Sequence, residues 1–218
     1  MPLRNDPAPD DWCAAREREL LAAALPHVER CGWTDRLVRA AAHTLGMTAA
    51  EAELVLPQGP RDLAALLARR HDEAMLAALE GVDPAPLKVR ERIGRAVKAR
   101  LEAAMRDEAA VRRCTGFLAL PANASLAAGL LWRTADAVWR WAGDTATDEN
   151  HYSKRVILSG VLASALLVRL GRGRAEAEAF VDRRIEDVMR FERWKATRPR
   201  TDPLAAVAGV LGRLRYRA

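Results

Sequence analysis

Apolar residues recur at intervals of three and four along most of this chain, the period of a helix that buries one face. Asp10 to Arg30 reads as a first helix, with Asp10 or Asp11 as its N-cap and a kink or early stop at Pro26. Thr34 caps a second helix that runs through Leu45 and ends at Gly46. Thr48 opens a short third, with Glu51 completing a capping box. The PQGPRD stretch from Pro57 to Asp62 is a break. The fourth helix, Asp62 to about Glu80, carries Leu63, Leu66, Leu67 and Ala74 on one face. GVDPAP, from Gly81 to Pro86, is the clearest linker, and residues 87–106 read as a helix that is largely polar. Further helices are predicted over 108–119, 124–142, 148–170 and 174–196. TRPRTDP then forms a second linker before a short last helix from Pro203 to about Arg215. Runs of β-branched and aromatic residues, the usual strand signal, are missing, so the predicted fold class is all-α.

Two helices define the middle of the chain. In the first, Ala128, Leu131, Trp132, Ala135, Val138, Trp139 and Ala142 share a face, with Arg133, Asp136 and Arg140 opposite and Gly143 as the terminating residue. After the polar loop DTATDEN, where Asp148 is placed to cap, the second helix becomes almost wholly apolar beyond Arg155. A helix apolar all round belongs in an interior.

Composition narrows the class without choosing a partner. The 218 residues are 50% apolar, enough for a folded core. A net charge of +6, carried mainly by arginine, suits nucleic acid, anionic lipid or an acidic protein. Three cysteines (Cys13, Cys31, Cys114) lack metal-type spacing and point to a reducing compartment. The opening MPLRNDPAPDDW is acidic and proline-rich, unlike a transit peptide. The longest apolar run, Val156 to Val168, is too short to span a bilayer. The expectation is a cytoplasmic protein of bacterial source, peripheral to the inner membrane. A boundary near Gly81 divides it into an N-terminal helical head (1–80), a helical bundle (81–200), and a linker with a short amphipathic helix (201–218).

The head resembles a known DNA-binding unit in part. LVRAAAHTLGMTAAEA is similar to the first part of the helix-turn-helix head of TetR-type repressors. Where their recognition helix belongs, this chain has AELVLPQGPRD, short, apolar and interrupted by two prolines. A helix needs uninterrupted turns to lie in a major groove, so the head reads as a degenerate helix-turn-helix and nucleic acid is not the expected partner.

The segment WAGDTATDENHYSKR, with LALPAN before it and FVDRRIEDVM after it, is the most specific signature in the chain. It resembles the ubiquinone-biosynthesis accessory protein family, the ninth member of the coenzyme Q set. The matching positions are Trp139, Trp141, Ala142, Gly143, Asp144, Thr147, Asp148, Asn150, Tyr152 and Arg155. GWT at Gly32 to Thr34 and LGM at Leu45 to Met47 also fit, and the resemblance covers roughly residues 30–195. His151 departs from the pattern, since the family often has tryptophan there.

The resemblance implies a TetR-like bundle of about ten helices, a homodimer, and a non-catalytic role. It implies no cofactor beyond a bound lipid or isoprenoid quinone intermediate, which the protein presents to the demethoxyubiquinone hydroxylase of the pathway. On this reading Leu118, Leu126, Leu130, Leu131, Ala135, Leu162, Ala165, Leu166, Phe180, Ile185 and Met189 are candidates to line a lipid cavity. They can equally pack against one another. Trp139, Asp148, His151, Tyr152 and Arg155 form a candidate hydroxylase-docking corner, with Trp139 and Tyr152 alternatively serving as core anchors. Leu204, Val207, Leu211 and Leu214 form a stripe beside Arg213, Arg215 and Arg217, suited to an anionic membrane surface.

Catalytic readings find less support. The four histidines (His27, His43, His71, His151) show no zinc or di-iron spacing. Asp144 and Asp148 read as capping and surface hydrogen-bonding groups. GRGR, from Gly171 to Arg174, lacks a preceding strand and reads as a helix break. Ser153, Ser159 and Ser164 have no elbow motif. The rival functions are a TetR-type lipid-responsive transcriptional regulator and an unrecognised hydrolase or isomerase.

Overall fold

The computed structural model describes residues 9–144 and 149–197. Asp148 and the predicted membrane stripe Leu204, Val207, Leu211 and Leu214 lie outside the described residues. Among the described residues there are ten α-helices and two short 3₁₀ turns, with no strand, as the all-α reading expects.

The first predicted helix is three pieces: α1 (Pro9–Ala24), a 3₁₀ turn (Leu25–His27) and α2 (Val28–Cys31). Pro26 lies in the turn, where its missing N–H interrupts the α-helical ladder. Gly32 then reverses the chain with φ of 65° into α3 (Asp35–Thr44). Thr34 does occupy the N-cap, but its hydroxyl donates back to the Cys31 carbonyl at 3.1 Å and caps no α3 amide. The Thr48 capping box is present: the Glu51 amide donates to Thr48 Oγ1 at 3.2 Å, and the Thr48 amide to Glu51 Oε2 at 2.8 Å. It opens α4, Ala49–Val55, which has only seven residues. Two turns end at Pro57, so the position of a recognition helix holds a stub with Leu54 76% exposed.

Gly59 leads into α5 with φ of 54°, a left-handed conformation that disfavours a side chain. α5 (Pro60–Leu79) begins two residues earlier than the sequence pattern suggests, because Pro60 takes the first helical position, where no amide partner is lost. The Trp33 indole donates to the Pro60 carbonyl at 2.9 Å and pins the head to the start of α5.

The remaining helices are α6 (Val89–Met105), α7 (Glu108–Leu118), α8 (Ala124–Trp141), α9 (Glu149–Arg172) and α10 (Arg174–Thr197). The expectation of a polar α6 is corrected. Ile93, Ala96, Val97, Leu101, Ala103 and Ala104 are buried there, between α5 and α10. Arginines between these positions dilute the mean hydropathy, while the three-and-four spacing of the apolar residues is intact. On α8 the buried residues are Leu130, Thr134, Ala135 and Val138, whereas Ala128 is exposed.

Two apolar clusters make the core. One joins α1, α3, the first half of α5 and α7 around Leu37, Leu63 and Leu67. The other joins the second half of α5 with α6, α8, α9 and α10 around Met75, Val97 and Val138. α5 runs through both, so the head and the bundle share one long strut.

Candidate functional site

A cavity of about 290 Å³ opens among α5 to α9. Its wall is mainly apolar, with Leu67, Val111, Leu118, Leu130, Leu131 and Leu166 prominent. Exposed Leu167 and Ala119 border it, so it reaches the surface. Small side chains at Ala64, Ala104, Ala127 and Ala163 leave the space open.

The eleven candidate lining residues divide among several environments. Leu118, Leu130, Leu131 and Leu166 line this cavity. Ile185 and Met189 line a second, of about 470 Å³, between the start of α6, the α8–α9 corner and α10. Ala135, Leu162 and Ala165 are buried in the second core cluster. Leu126 packs against the first cluster and Phe180 against the second. The arrangement thus brings four of the candidates to one surface.

Besides Thr115, three polar side chains stand in the cavity wall: His71, singled out in the sequence only as lacking metal-type spacing, and Arg100 and Thr134, which went unremarked. Arg100 Nε donates to Asp72 Oδ1 at 2.6 Å, and the Thr134 hydroxyl donates to the same carboxylate at 2.9 Å. His71, almost fully buried, meets Asp107 Oδ2 through Nε2 at 2.9 Å. Burial first, and the Arg100 charge second, push the His71 imidazole down to about 4, and the Asp107 hydrogen bond offsets only part of that. The ring is therefore neutral at pH 7. Cys114, also in the wall, has its thiol pushed up to about 12 by burial, which leaves it unreactive as a nucleophile. Nothing in the local sequence marks this trio, because its members come from three helices.

The second feature is the corner between α8 and α9. A Schellman motif ends α8: the Gly143 amide bonds the Arg140 carbonyl at 3.0 Å and the Asp144 amide bonds the Trp139 carbonyl at 3.0 Å. Gly143 has φ of 82°. Asp144 is turned inward, 7% exposed, and accepts from Lys154 Nζ at 2.7 Å and Arg155 Nη1 at 3.3 Å. It is therefore a clamp between the turn and α9, and the reading of Asp144 as a surface hydrogen-bonding group is corrected. Burial works to raise this carboxyl, and Lys154 and Arg155 together outweigh it and hold it below its ordinary value.

Arg155, expected among the docking residues, is buried at 2% exposure. Its Nε donates to Asp136 Oδ1 at 2.7 Å and its Nη1 to the His151 carbonyl at 3.0 Å. Asp136, expected on the solvent face of α8, is thereby drawn into this network. Trp139 donates from its indole to the Lys154 carbonyl at 3.2 Å, and Lys154 Nζ sits 5.2 Å above its ring. The outward part of the corner is aromatic. Tyr152 is 62% exposed, with its ring 6.0 Å from Trp132 and 5.2 Å from His151. Val156, one turn along α9, is also exposed.

Among the described residues no group of three or more His, Cys, Asp or Glu side chains is arranged to hold a metal. No single described helix is long and apolar enough to cross a membrane.

These features define a protein that is helical throughout its ordered elements among the described residues, with an apolar cavity among α5 to α9 and an exposed aromatic corner between α8 and α9. A family model described as COQ9 matches residues 124–192, which covers α8, the corner, α9 and most of α10. The chain is similar to "Ubiquinone biosynthesis protein COQ9, mitochondrial" of Rattus norvegicus, 27% identical over 211 residues, covering 90% of this chain and 65% of the rat protein. It is 25% identical to the Homo sapiens protein of the same name over 211 residues, covering 90% of this chain and 64% of that protein. It is 31% identical to "Ubiquinone biosynthesis protein COQ9-B, mitochondrial" of Xenopus laevis over 187 residues, covering 79% of this chain and 62% of that protein. The chain thus spans a little under two-thirds of the length of these curated relatives. Together the matches make the chain similar to the COQ9 family, with the family model falling on α8 to α10.

Proposed function

We propose that this chain acts in ubiquinone biosynthesis as a non-catalytic lipid-binding protein, peripheral to a membrane, that presents an isoprenoid quinone precursor to the demethoxyubiquinone hydroxylase. The observation that carries the reading is the apolar cavity among α5 to α9, walled in part by helices that match the family model. At about 290 Å³ it is near the small end of ligand pockets, roughly 300–1,000 Å³. It suits a ring head group and the start of a tail, with the rest of a polyprenyl chain running out past Leu167.

The exposed Tyr152 and Val156 support a docking role for the corner, since aromatic anchors are enriched at interface hot spots. The outer faces of α8 and α9, exposed at Ala128, Gly129 and Gly160, have small residues that permit close approach of a second copy. The stripe Leu204, Val207, Leu211 and Leu214 supplies the membrane contact in this scheme.

Filling the cavity tests the reading. Ala127→Phe and Ala163→Phe place rings in the wall. Each is expected to lower uptake of quinone from liposomes about tenfold with helicity unchanged, an effect of about 1.4 kcal/mol. Uptake equal to that of the unmodified chain would contradict the assignment of this cavity.

A further inference from the structure

The polar side chains of the cavity wall differ in what they offer a ligand, and His71 offers an acceptor. The Asp107 carboxylate accepts only, so the Nε2 that meets it at 2.9 Å carries the ring's proton. Nδ1 of the neutral ring is then a lone-pair acceptor, and among the described residues it has no hydrogen-bond partner. The Thr134 hydroxyl directs its hydrogen to Asp72, at 2.9 and 3.1 Å from the two carboxylate oxygens, and leaves only lone pairs for a ligand. Arg100 commits Nε to Asp72 at 2.6 Å and one Nη2 hydrogen to the Ala68 carbonyl at 3.4 Å, so its other N–H groups, on Nη1 and Nη2, remain to donate. His71 Nδ1 and the Thr134 hydroxyl therefore stand as acceptors only, beside the Arg100 donors and the Thr115 hydroxyl, in a wall that is otherwise mainly apolar.

We propose that this cavity selects a head group bearing a free ring hydroxyl, directed at His71 Nδ1, over the same ring in its oxidised dicarbonyl form. The inference rests on the lipid-binding reading and adds the chemical state of the ligand. A phenolic or hydroquinone head donates its O–H to His71 and accepts a free Arg100 N–H on a ring oxygen. An oxidised quinone has acceptors only. It satisfies Arg100 but sets a carbonyl lone pair against that of Nδ1, leaving the buried imidazole nitrogen without a partner. An unmade hydrogen bond to a buried group is costly, and sites built to bond a hydroxyl discriminate strongly against ligands lacking one.

The test uses one short-tailed compound in two states: a decyl-substituted benzohydroquinone, and the same compound oxidised to the benzoquinone. Each is titrated anaerobically into the full chain and read by tryptophan fluorescence. The reduced form is expected to bind about tenfold more tightly, the equivalent of one net hydrogen bond. His71→Phe is expected to erase the difference. His71→Lys serves as a second variant, because its ammonium donates toward Asp107 and carries no acceptor, and it is expected to erase the difference as well. Equal binding of both forms to the unmodified chain would overturn the selection and leave the lipid-binding reading intact. A preference that survives in both variants would also overturn it. Binding of neither form would overturn the inference and the lipid-binding reading together.

Discussion

Arg155 and Asp136 are joined by a 2.7 Å ion pair between α9 and α8, and the same guanidinium reaches Asp144 in the intervening turn at 3.3 Å. One buried cation thus closes the corner on which Tyr152 is displayed. Removing it leaves Asp136 with the exposed Arg140 and Asp144 with Lys154, each at 2.7 Å, so the cost falls at the lower end of the roughly 3–5 kcal/mol of a broken buried pair. Arg155→Ala is expected to lower unfolding stability by about 3 kcal/mol in urea titration. A loss below about 1 kcal/mol would show the network to be a weak surface arrangement.

Tyr152 has a different role from Arg155. Its ring is mostly exposed and touches only Trp132 and His151 among the ring contacts. Tyr152→Ala is expected to change stability by less than about 1 kcal/mol while abolishing co-purification with the hydroxylase. Retained co-purification would remove the corner from the docking scheme. A combined Tyr152 and Arg155 replacement is a poor test, because unfolding and lost contact would be confounded.

The His71 imidazole gives the protein a defined acid response. Its pKa falls from an ordinary 6.5 to about 4 on folding, mainly through burial, beside Asp107, Arg100 and Arg70. Between those values the unfolded chain binds more protons than the folded one, so stability falls as pH drops. The contribution is complete above about pH 6.5 and fully lost below about pH 4, at most about 3 kcal/mol. Thermal melts from pH 7.5 to 4 are expected to show this slope, flattened in His71→Gln. An equal slope in both proteins would assign the acid response to other groups. Asp144, held below its ordinary value, adds a loss of the same sign at lower pH.

Gly143 is the backbone counterpart of the Arg155 clamp. A Cβ there would lie 3.5 Å from Arg92 Nη1, which itself donates to the Ala142 carbonyl at 2.7 Å. With φ of 82°, Gly143→Ala is expected to cost about 1–2 kcal/mol, read as a lower Tm. An unchanged Tm would mean that the turn relaxes without loss.

The C-terminal stripe is testable without its structure. Deleting residues 201–218 is expected to weaken pelleting with anionic liposomes and to leave the melting temperature of the bundle unchanged. Unaltered pelleting would take this segment out of the membrane contact.

Much of the helical order was legible because its signals are local. Pro26, Gly46, Pro57 and Gly143 each break the chain through their own backbone chemistry, and the helices between them follow the spacing of apolar residues. What escaped depends on contacts between distant positions. α6 hides a buried face beneath its arginines. Arg155 is an arginine in a motif rich in polar residues, and nothing nearby in sequence indicates that Asp136, nineteen positions earlier, will neutralise it. His71, Arg100 and Thr134 lie on three helices and gain meaning only once α5, α6 and α8 enclose a common space. The family resemblance pointed to a cavity, but which of the eleven apolar candidates border it is decided by how the helices pack.

The most direct measurement of the central claim is native mass spectrometry of the freshly purified chain, with extraction and identification of any bound lipid. The account predicts an isoprenoid quinone or quinone precursor bound in stoichiometric amount, lost in Ala127→Phe. A chain that carries no lipid, even after incubation with quinone-loaded liposomes, would contradict it.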